Sequence, residues 1–269
     1  MNRRQLLHGS LALTTLGVTA LTPHAYAEGD TLIETQSGTL PILLTAPHGG
    51  AAVIPGVPPR ITGVTVRDEF TDDVARGVAR RLEELLSAKP YFVIARFQRR
   101  FADANRAESE ALESPEARPP YRAYHQAIRG YVDEIRKSHP DRGLLLDIHG
   151  QAADLKVLHR GTRNGATVTA LLKRAGEAAL VGDKSLWGSL KNQGYAIFPE
   201  SAQVGEPPEV KAFGGGFTVG TYGSHQANGM DAIQIEIGRE LRAEKTARRK
   251  LIDALANALA TSYREYQKM

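Results

Sequence analysis

One run of eight residues limits this chain more than any other: Gly143-Leu144-Leu145-Leu146-Asp147-Ile148-His149-Gly150. Three leucines and an isoleucine describe a strand buried on both faces, the kind found inside a parallel sheet. Polar groups in such a place are costly unless they are paired, yet the run ends in Asp147 and His149. The two-residue repeat of a strand points both side chains to one face. They sit at the carboxyl end, where open α/β sheets bind their ligands. His149 is therefore either a site residue or an imidazole satisfied by hydrogen bonds in the core.

The pattern recurs upstream. Residues 40–45 are largely apolar and stop at Ala46-Pro47-His48-Gly49-Gly50. The two glycines allow a tight turn and a close approach of ligand to backbone. His48 alone reads equally well as an exposed loop residue. Residues 51–66, with Pro55, Pro58 and Pro59, form a loop. Helical periodicity begins near Asp68, with Phe70, Val74, Val78, Leu82, Leu85 and Leu86 on one face. Asp68, Glu69, Asp72 and Asp73 crowd its start, where carboxylates complement the helix dipole. The alternative is that one of them turns inward to a metal.

A strand over 91–97 leads into Arg99-Arg100-Phe101-Ala102-Asp103-Ala104-Asn105-Arg106. Guanidinium forks bind carboxylates bidentately, and an interleaved Asp or Asn holds the fork rigid. A solvated charge run is the bland alternative. Residues 108–120 read as a surface loop or lid, and 121–135 as an amphipathic helix carrying His125 on or beside its apolar stripe. Beyond 149, short strands are expected at 156–158 and 195–198, and helices at 167–179 and 186–192. His159 reads as structural or exposed. Residues 205–229, with Gly214-Gly215-Gly216 and His225, form a long loop of the kind that often closes over sites. In 232–239, Ile233, Ile235 and Ile237 alternate with Gln234 and Glu236. Glu236 either faces water on an edge strand or lies near the core, where burial raises its pKa toward a general base's range. A closing helix spans 243–266.

Strands alternating with helices predict a single α/β domain over 28–269, its mostly parallel or mixed central sheet flanked by helices. Residues 1–27 stand apart. Arg3-Arg4, an apolar run over 11–21 and Ala25-Tyr26-Ala27 have the form of a signal peptide, the run being too short to span a bilayer. Arg3-Arg4-Gln5-Leu6-Leu7 also resembles a twin-arginine export signal. The expectation is an exported, periplasmic or secreted protein with no membrane association after signal removal. Arg3 and Arg4 contribute two of the four net positive charges. With no basic stripe interleaved with aromatics, nucleic acid is excluded as a partner. There are no cysteines, so any metal must be held by His, Asp, Glu or water. A serine nucleophile in G-x-S-x-G is absent too.

Polar groups thus stand at four strand ends: His48, the cluster over 99–106, Asp147 with His149, and Glu236. Two histidines and one carboxylate, with a fourth position left to water, is the composition of a catalytic zinc site. A separate glutamate and nearby arginines complete the parts of an amide hydrolase. The matching non-catalytic reading is a protein that captures carboxylates with Arg99 and Arg106.

These residues resemble the N-formylglutamate amidohydrolases, within the wider carboxypeptidase-A-like and aspartoacylase-like zinc hydrolases. The resemblance is carried, in order, by Pro47-His48-Gly49-Gly50, Asp68-x-x-Thr71, Arg99 with Asp103-x-Asn105-Arg106, Asp147-Ile148-His149-Gly150 and Gln234-Ile235-Glu236. It runs over about residues 40–242 and implies a zinc-carboxypeptidase-like hydrolase fold with one Zn2+. It implies His48 and His149 as ligands. The wider group's glutamate three residues after the first histidine is Ala51 here, so Asp68 is the closest match to the third ligand, with Glu69 as the fallback. Glu236 would be the general base, with Arg99 on the scissile carbonyl and Arg106 on a substrate carboxylate. Asp103 and Asn105 would brace those arginines in the substrate-binding group, and Asp147 would support an imidazole. The implied substrate is an N-acylated, N-formyl-type amino acid or small peptide with a free carboxylate. An export signal would suit a metallopeptidase or cell-wall amidase of the same chemistry.

Overall fold

The computed structural model describes residues 32–200 and 203–267; the signal-peptide expectation for 1–27 lies outside them. Seven strands form one sheet: β1 (Ile33–Gln36), β2 (Leu40–Ala46), β3 (Pro90–Ala95), β4 (Leu144–Gln151), β5 (Val157–Gly161), β6 (Ala196–Phe198) and β7 (Asp231–Gly238). Their spatial order is β1-β3-β2-β4-β7-β5-β6. The four central strands β3, β2, β4 and β7 run parallel. β1 is antiparallel to β3, and β5 is antiparallel to β7 with β6 parallel to β5. The expected α/β class, with one mixed sheet between helices, is what the chain adopts.

Helices on both faces explain why the central strands read as apolar runs. On one face α1 (Thr71–Leu86) and α9 (Lys245–Tyr266) cover Ile42, Leu44, Leu144, Leu146, Ile148, Ile233 and Ile235. On the other, α3 (Arg118–Ser138) places Tyr124, Ile128, Val132 and Ile135 against Leu43, Val93 and Leu145. Alternation along β4 and β7 then puts Asp147, His149, Gln234 and Glu236 on the α3 side, and Leu158 and Arg160 of β5 on the α1–α9 side. Among the described residues no helix is long and apolar enough to cross a membrane.

The smaller elements depart from the sequence pattern. The 108–120 stretch holds a four-residue helix, α2 (Glu108–Ala111), and a 3-10 turn (Pro115–Ala117). The helix expected over 167–179 breaks into α4 (Thr169–Ala175) and α5 (Ala178–Val181) at Gly176, whose φ of 70° ends the first piece. α6 (Leu186–Asn192) lies where it was expected. Within the stretch read as loop, residues 217–222 form α7 (Phe217–Tyr222). The short α8 (Arg239–Ala243) precedes α9. One correction bears on the site. The helix begins at Thr71, not near Asp68, behind a left-handed Phe70 (φ 67°) that makes no side-chain cap. Asp68 is thereby left outside the first turn and freed from the capping role.

Candidate metal centre and its surroundings

The parallel strands deliver their carboxyl ends to one edge, and the site is built there. After β2 the backbone turns at His48 and runs through Gly49, where a Cβ would collide with the amide of Asp72 and the Thr71 hydroxyl. That close approach lays the β2 exit against the start of α1. The Asp68 amide donates to the His48 carbonyl at 3.1 Å, so two residues twenty apart in sequence are clamped together. His149 arrives on β4, directly in register with Glu236 of β7.

Asp68 Oδ2 lies 3.3 Å from His48 Nδ1 and 3.4 Å from His149 Nδ1. The Gly150 amide donates to the same oxygen at 3.2 Å. One ligand atom from each of His48, Asp68 and His149 falls within 4.8 Å of the others, and all three residues are buried. The far nitrogen of each imidazole is engaged by a second carboxylate. His48 Nε2 donates to Asp103 Oδ1 at 2.7 Å, and His149 Nε2 to Asp147 Oδ2 at 2.8 Å. Asp147 is held in turn by the Thr45 hydroxyl at 2.6 Å. A carboxylate on one ring nitrogen fixes the tautomer and offers the other nitrogen's lone pair, the usual outer support of a metal-binding histidine.

The donor set fits a cation. His48 Nδ1 is buried with no hydrogen-bond partner, an unsatisfied arrangement that a bound ion at that nitrogen relieves. Charge points the same way. The four carboxylates of Asp68, Asp103, Asp147 and Glu236 stand against three buried or nearly buried guanidinium groups, Arg60, Arg99 and Arg242. Burial pushes the Asp68 carboxyl up, but the close imidazoles of His149 and His48 and their charge outweigh it and hold it well below the usual range. Burial likewise acts against the ionised Asp103, yet His48 and Arg99 bring its carboxyl well below the usual value. Burial would neutralise His149, but Asp147, then Asp68 and Glu236, drive its pKa well above the ordinary value. Without a cation, those carboxylates hold a proton on the imidazole that a metal would displace.

Glu236 completes the group. It is buried on β7, between β4 and β5 and not at an edge, which corrects the water-facing alternative. Burial raises its pKa to about 7, opposed by the charges of His149, His48 and Arg99 and reinforced by Asp68. Gln234 donates to Glu236 Oε1 at 3.0 Å, and the Gly216 amide donates to Gln234 Oε1 at 2.8 Å. The glycine loop is thus linked to the carboxylate through one side chain. Beyond Glu236, in register on β5, stands His159. It is buried, with Nε2 on Asp154 at 2.8 Å and its ring between Phe198 and Phe213, so it is not the exposed residue the pattern allowed.

The arginine cluster divides. Arg99 Nε donates to Asp103 Oδ2 at 2.9 Å, and its Nη1 lies 3.9 Å from Asp68 Oδ1. Asp103 is buried with both oxygens engaged inside the protein, and Asn105 accepts from the Thr218 amide at 2.8 Å while its own amide lies 3.3 Å from His149 Nε2. Both therefore brace neighbouring groups of the site, Asp103 through His48 and Arg99 and Asn105 through Thr218. Arg106 is exposed, and its guanidinium makes no ion pair among the described residues. Glu69 does not join the His48–Asp68–His149 group; its carbonyl accepts from Arg242 Nη1 at 2.6 Å.

Two buried arginines at the site have no sequence signal. Arg60, from the Pro-rich loop, reaches 3.8 Å from Asp103 Oδ2 and donates to the carbonyls of Arg99 and Val64. Arg242 lies so close behind Gly150 that a Cβ there would strike its guanidinium. Neither belongs to a local pattern, because each is brought in from a distant segment by the chain's path.

No family profile matches the sequence. No curated protein matches it either. Among solved structures, the chain matches an N-formylglutamate amidohydrolase from Ralstonia eutropha JMP134 with a TM-score of 0.58 and 17% identity, over 89% of this chain and 99% of that one. A bacteriophage poly-gamma-glutamate hydrolase matches at 0.44 and 15%, over 87% of this chain and 88% of its own. An N-acetylmuramyl-L-alanine amidase from Mycobacterium smegmatis matches at 0.38 and 13%, over 82% and 95%. The first of these shows that the fold is shared with an amidohydrolase.

Proposed function

We propose that the chain is a zinc-dependent amidohydrolase that cleaves an N-acylated, N-formyl-type amino acid or small peptide bearing a free carboxylate. One observation carries this reading: two imidazole Nδ1 atoms and an Asp68 oxygen converge, each imidazole is backed by its own carboxylate, and a buried glutamate stands in register beside them. A divalent cation held by His48, Asp68 and His149 would supply Lewis acidity to a carbonyl and to the attacking water. Glu236 takes the water's proton and returns it to the departing amine, the task its raised pKa suits. Arg99, held rigid by Asp103, meets the scissile carbonyl oxygen as negative charge develops there. Arg106, exposed and unpaired, takes the substrate carboxylate.

The form of residues 1–27 supports an exported setting, and with it a peptide or cell-wall amide as substrate in preference to a cytoplasmic metabolite. Chelator dialysis should abolish hydrolysis of an N-acyl amino acid panel, and zinc should restore it. Full activity in the metal-free protein, or in Glu236→Gln, would overturn the proposal. A metal-free protein that binds N-acyl amino acids without turnover would establish the non-catalytic reading instead.

A further inference from the structure

Arg242, on α8, is only 4% exposed. Its guanidinium fills the space that a side chain at residue 150 would need: a Cβ on Gly150 would collide with Nε, Cζ and Nη2. From there Nε donates to the Ile237 carbonyl at 3.2 Å and Nη1 to the Glu69 carbonyl at 2.6 Å. One planar group thus ties the end of β7 to the residue after Asp68. It does so beside a glycine whose own amide donates to Asp68 Oδ2 at 3.2 Å.

The turn that is tied down does not hold itself. Phe70 has a φ of 67°, a conformation that bulky side chains rarely adopt and that lasts only where the surroundings impose it. Relaxed into helical backbone, residues 69 and 70 would lengthen α1 and make Asp68 its N-cap. The carboxylate would then turn to backbone amides and away from the imidazoles. Two arginines oppose that relaxation. Arg242 holds the Glu69 carbonyl, and the Arg248 guanidinium lies 4.3 Å from the Phe70 ring centre while donating to the Arg242 carbonyl at 2.7 Å.

We propose that Arg242 is a positioning residue for the metal ligand Asp68, holding the 68–70 turn in the conformation that brings its carboxylate to His48 and His149. The inference rests on the metal reading of that trio. It also gives Gly150 a physical reason, since only a residue without a side chain admits the guanidinium. Charge alone makes the opposite demand. Burial disfavours the charged guanidinium, and Asp68, Glu69 and Glu236 favour it; a positive charge beside those carboxylates repels a cation. Its removal should tighten zinc binding if charge decides, and weaken it if position decides.

Zinc affinity of the full-length protein, measured by competition against a chromophoric chelator, reads that sign directly. Arg242→Met should bind zinc about 10–100-fold more weakly, although a positive charge has gone. Gly150→Ala displaces the guanidinium without deleting it and should weaken zinc binding too, which keeps the question answerable if the Met variant does not fold. In an Asp68→Ala background, Arg242→Met should have no further effect, because it acts through that ligand. Zinc held by Arg242→Met as tightly as by the parent chain, or more tightly, would overturn the proposal, as would an undiminished effect in the Asp68→Ala background. A parent chain that binds no zinc would remove the metal reading and this inference with it. A parent that binds zinc and weakens in Asp68→Ala, while Arg242→Met and Gly150→Ala match the parent, would remove this inference alone.

Discussion

At the scale of single residues, the site is two imidazoles, each gripped at one nitrogen and offering the other. Asp103→Asn and Asp147→Asn each keep volume and remove charge behind one ligand. Each should weaken zinc affinity about 10–100-fold, read by competition against a chromophoric chelator, while leaving the fold intact by circular dichroism. Glu236→Gln should lower kcat by about 10²–10⁴ with zinc still bound. Glu236 must be ionised to act, so kcat/KM should rise with pH through its pKa. That pKa is raised to about 7 in the metal-free chain, and an adjacent cation lowers it, so the rising limb of the zinc enzyme should fall below 7. A limb at or above 7 in the zinc form would remove Glu236 as the base. His48, His149 and Glu236 were legible in the sequence because each breaks the pattern of an apolar run. Arg60 and Arg242 were not, because burial of an arginine is a property of what packs on it and leaves no mark on its neighbours.

Among the elements, what matters is register. β4 and β7 pair so that Asp147 faces Gln234 and His149 faces Glu236. Sequence periodicity places these residues on the correct faces, but the alignment of one strand against another is set by contacts distant in the chain. The short elements escaped for a related reason. α7 has six residues and β1 four, too few for a period to show, and both are held by tertiary contacts. The helix pair α1–α9 offers a test of packing. A Cβ at Gly77 would press on the Ile252 side chain, so Gly77→Leu should cost about 1–3 kcal/mol by overpacking, measured by urea unfolding. On the far side, Glu209→Gln removes the charge from a buried pair whose oxygens also hold Thr162 and Asn164. Leaving Arg160 uncompensated should destabilise the chain by about 3–5 kcal/mol, measured the same way.

For the whole molecule, the metal centre sets how stability responds to pH. Asp68 and Asp103 have pKa values depressed below the unfolded 3.8, so their contribution is present above that value and lost as pH falls through their folded values. His149 has a pKa raised well above 6.5; its contribution is full below 6.5 and lost as pH rises through the folded value. Glu236, raised from 4.5 to about 7, disfavours folding progressively over that same interval. The metal-free protein should therefore melt highest in mildly acidic solution, between about pH 4 and 6. Zinc replaces the His149 proton, so the zinc form should melt highest at neutral pH or above, and zinc at a hundred times its Kd should add about 2.7 kcal/mol. Melting curves with and without zinc across this range test both statements; coincident maxima would refute them.

The path between His48 and Asp68 has a further consequence. The two residues are clamped backbone to backbone, while the intervening 51–66 segment exposes Val53, Ile61, Val64 and Val66 to solvent. The excursion is closed at its base and anchored along its length: Ala52 bridges to Phe97, Ile54 and Val57 are buried in the core, Arg60 is tied to the Arg99 and Arg100 carbonyls, and Glu113 holds the Ile61 and Thr62 amides. Only the exposed residues between those anchors, such as Pro55-Gly56 and Gly63-Val64, are open to exchange without disturbing the distance between the two ligands. New substrate preferences could therefore arise by changing those few positions, the reaction centre passing unaltered from one specificity to the next.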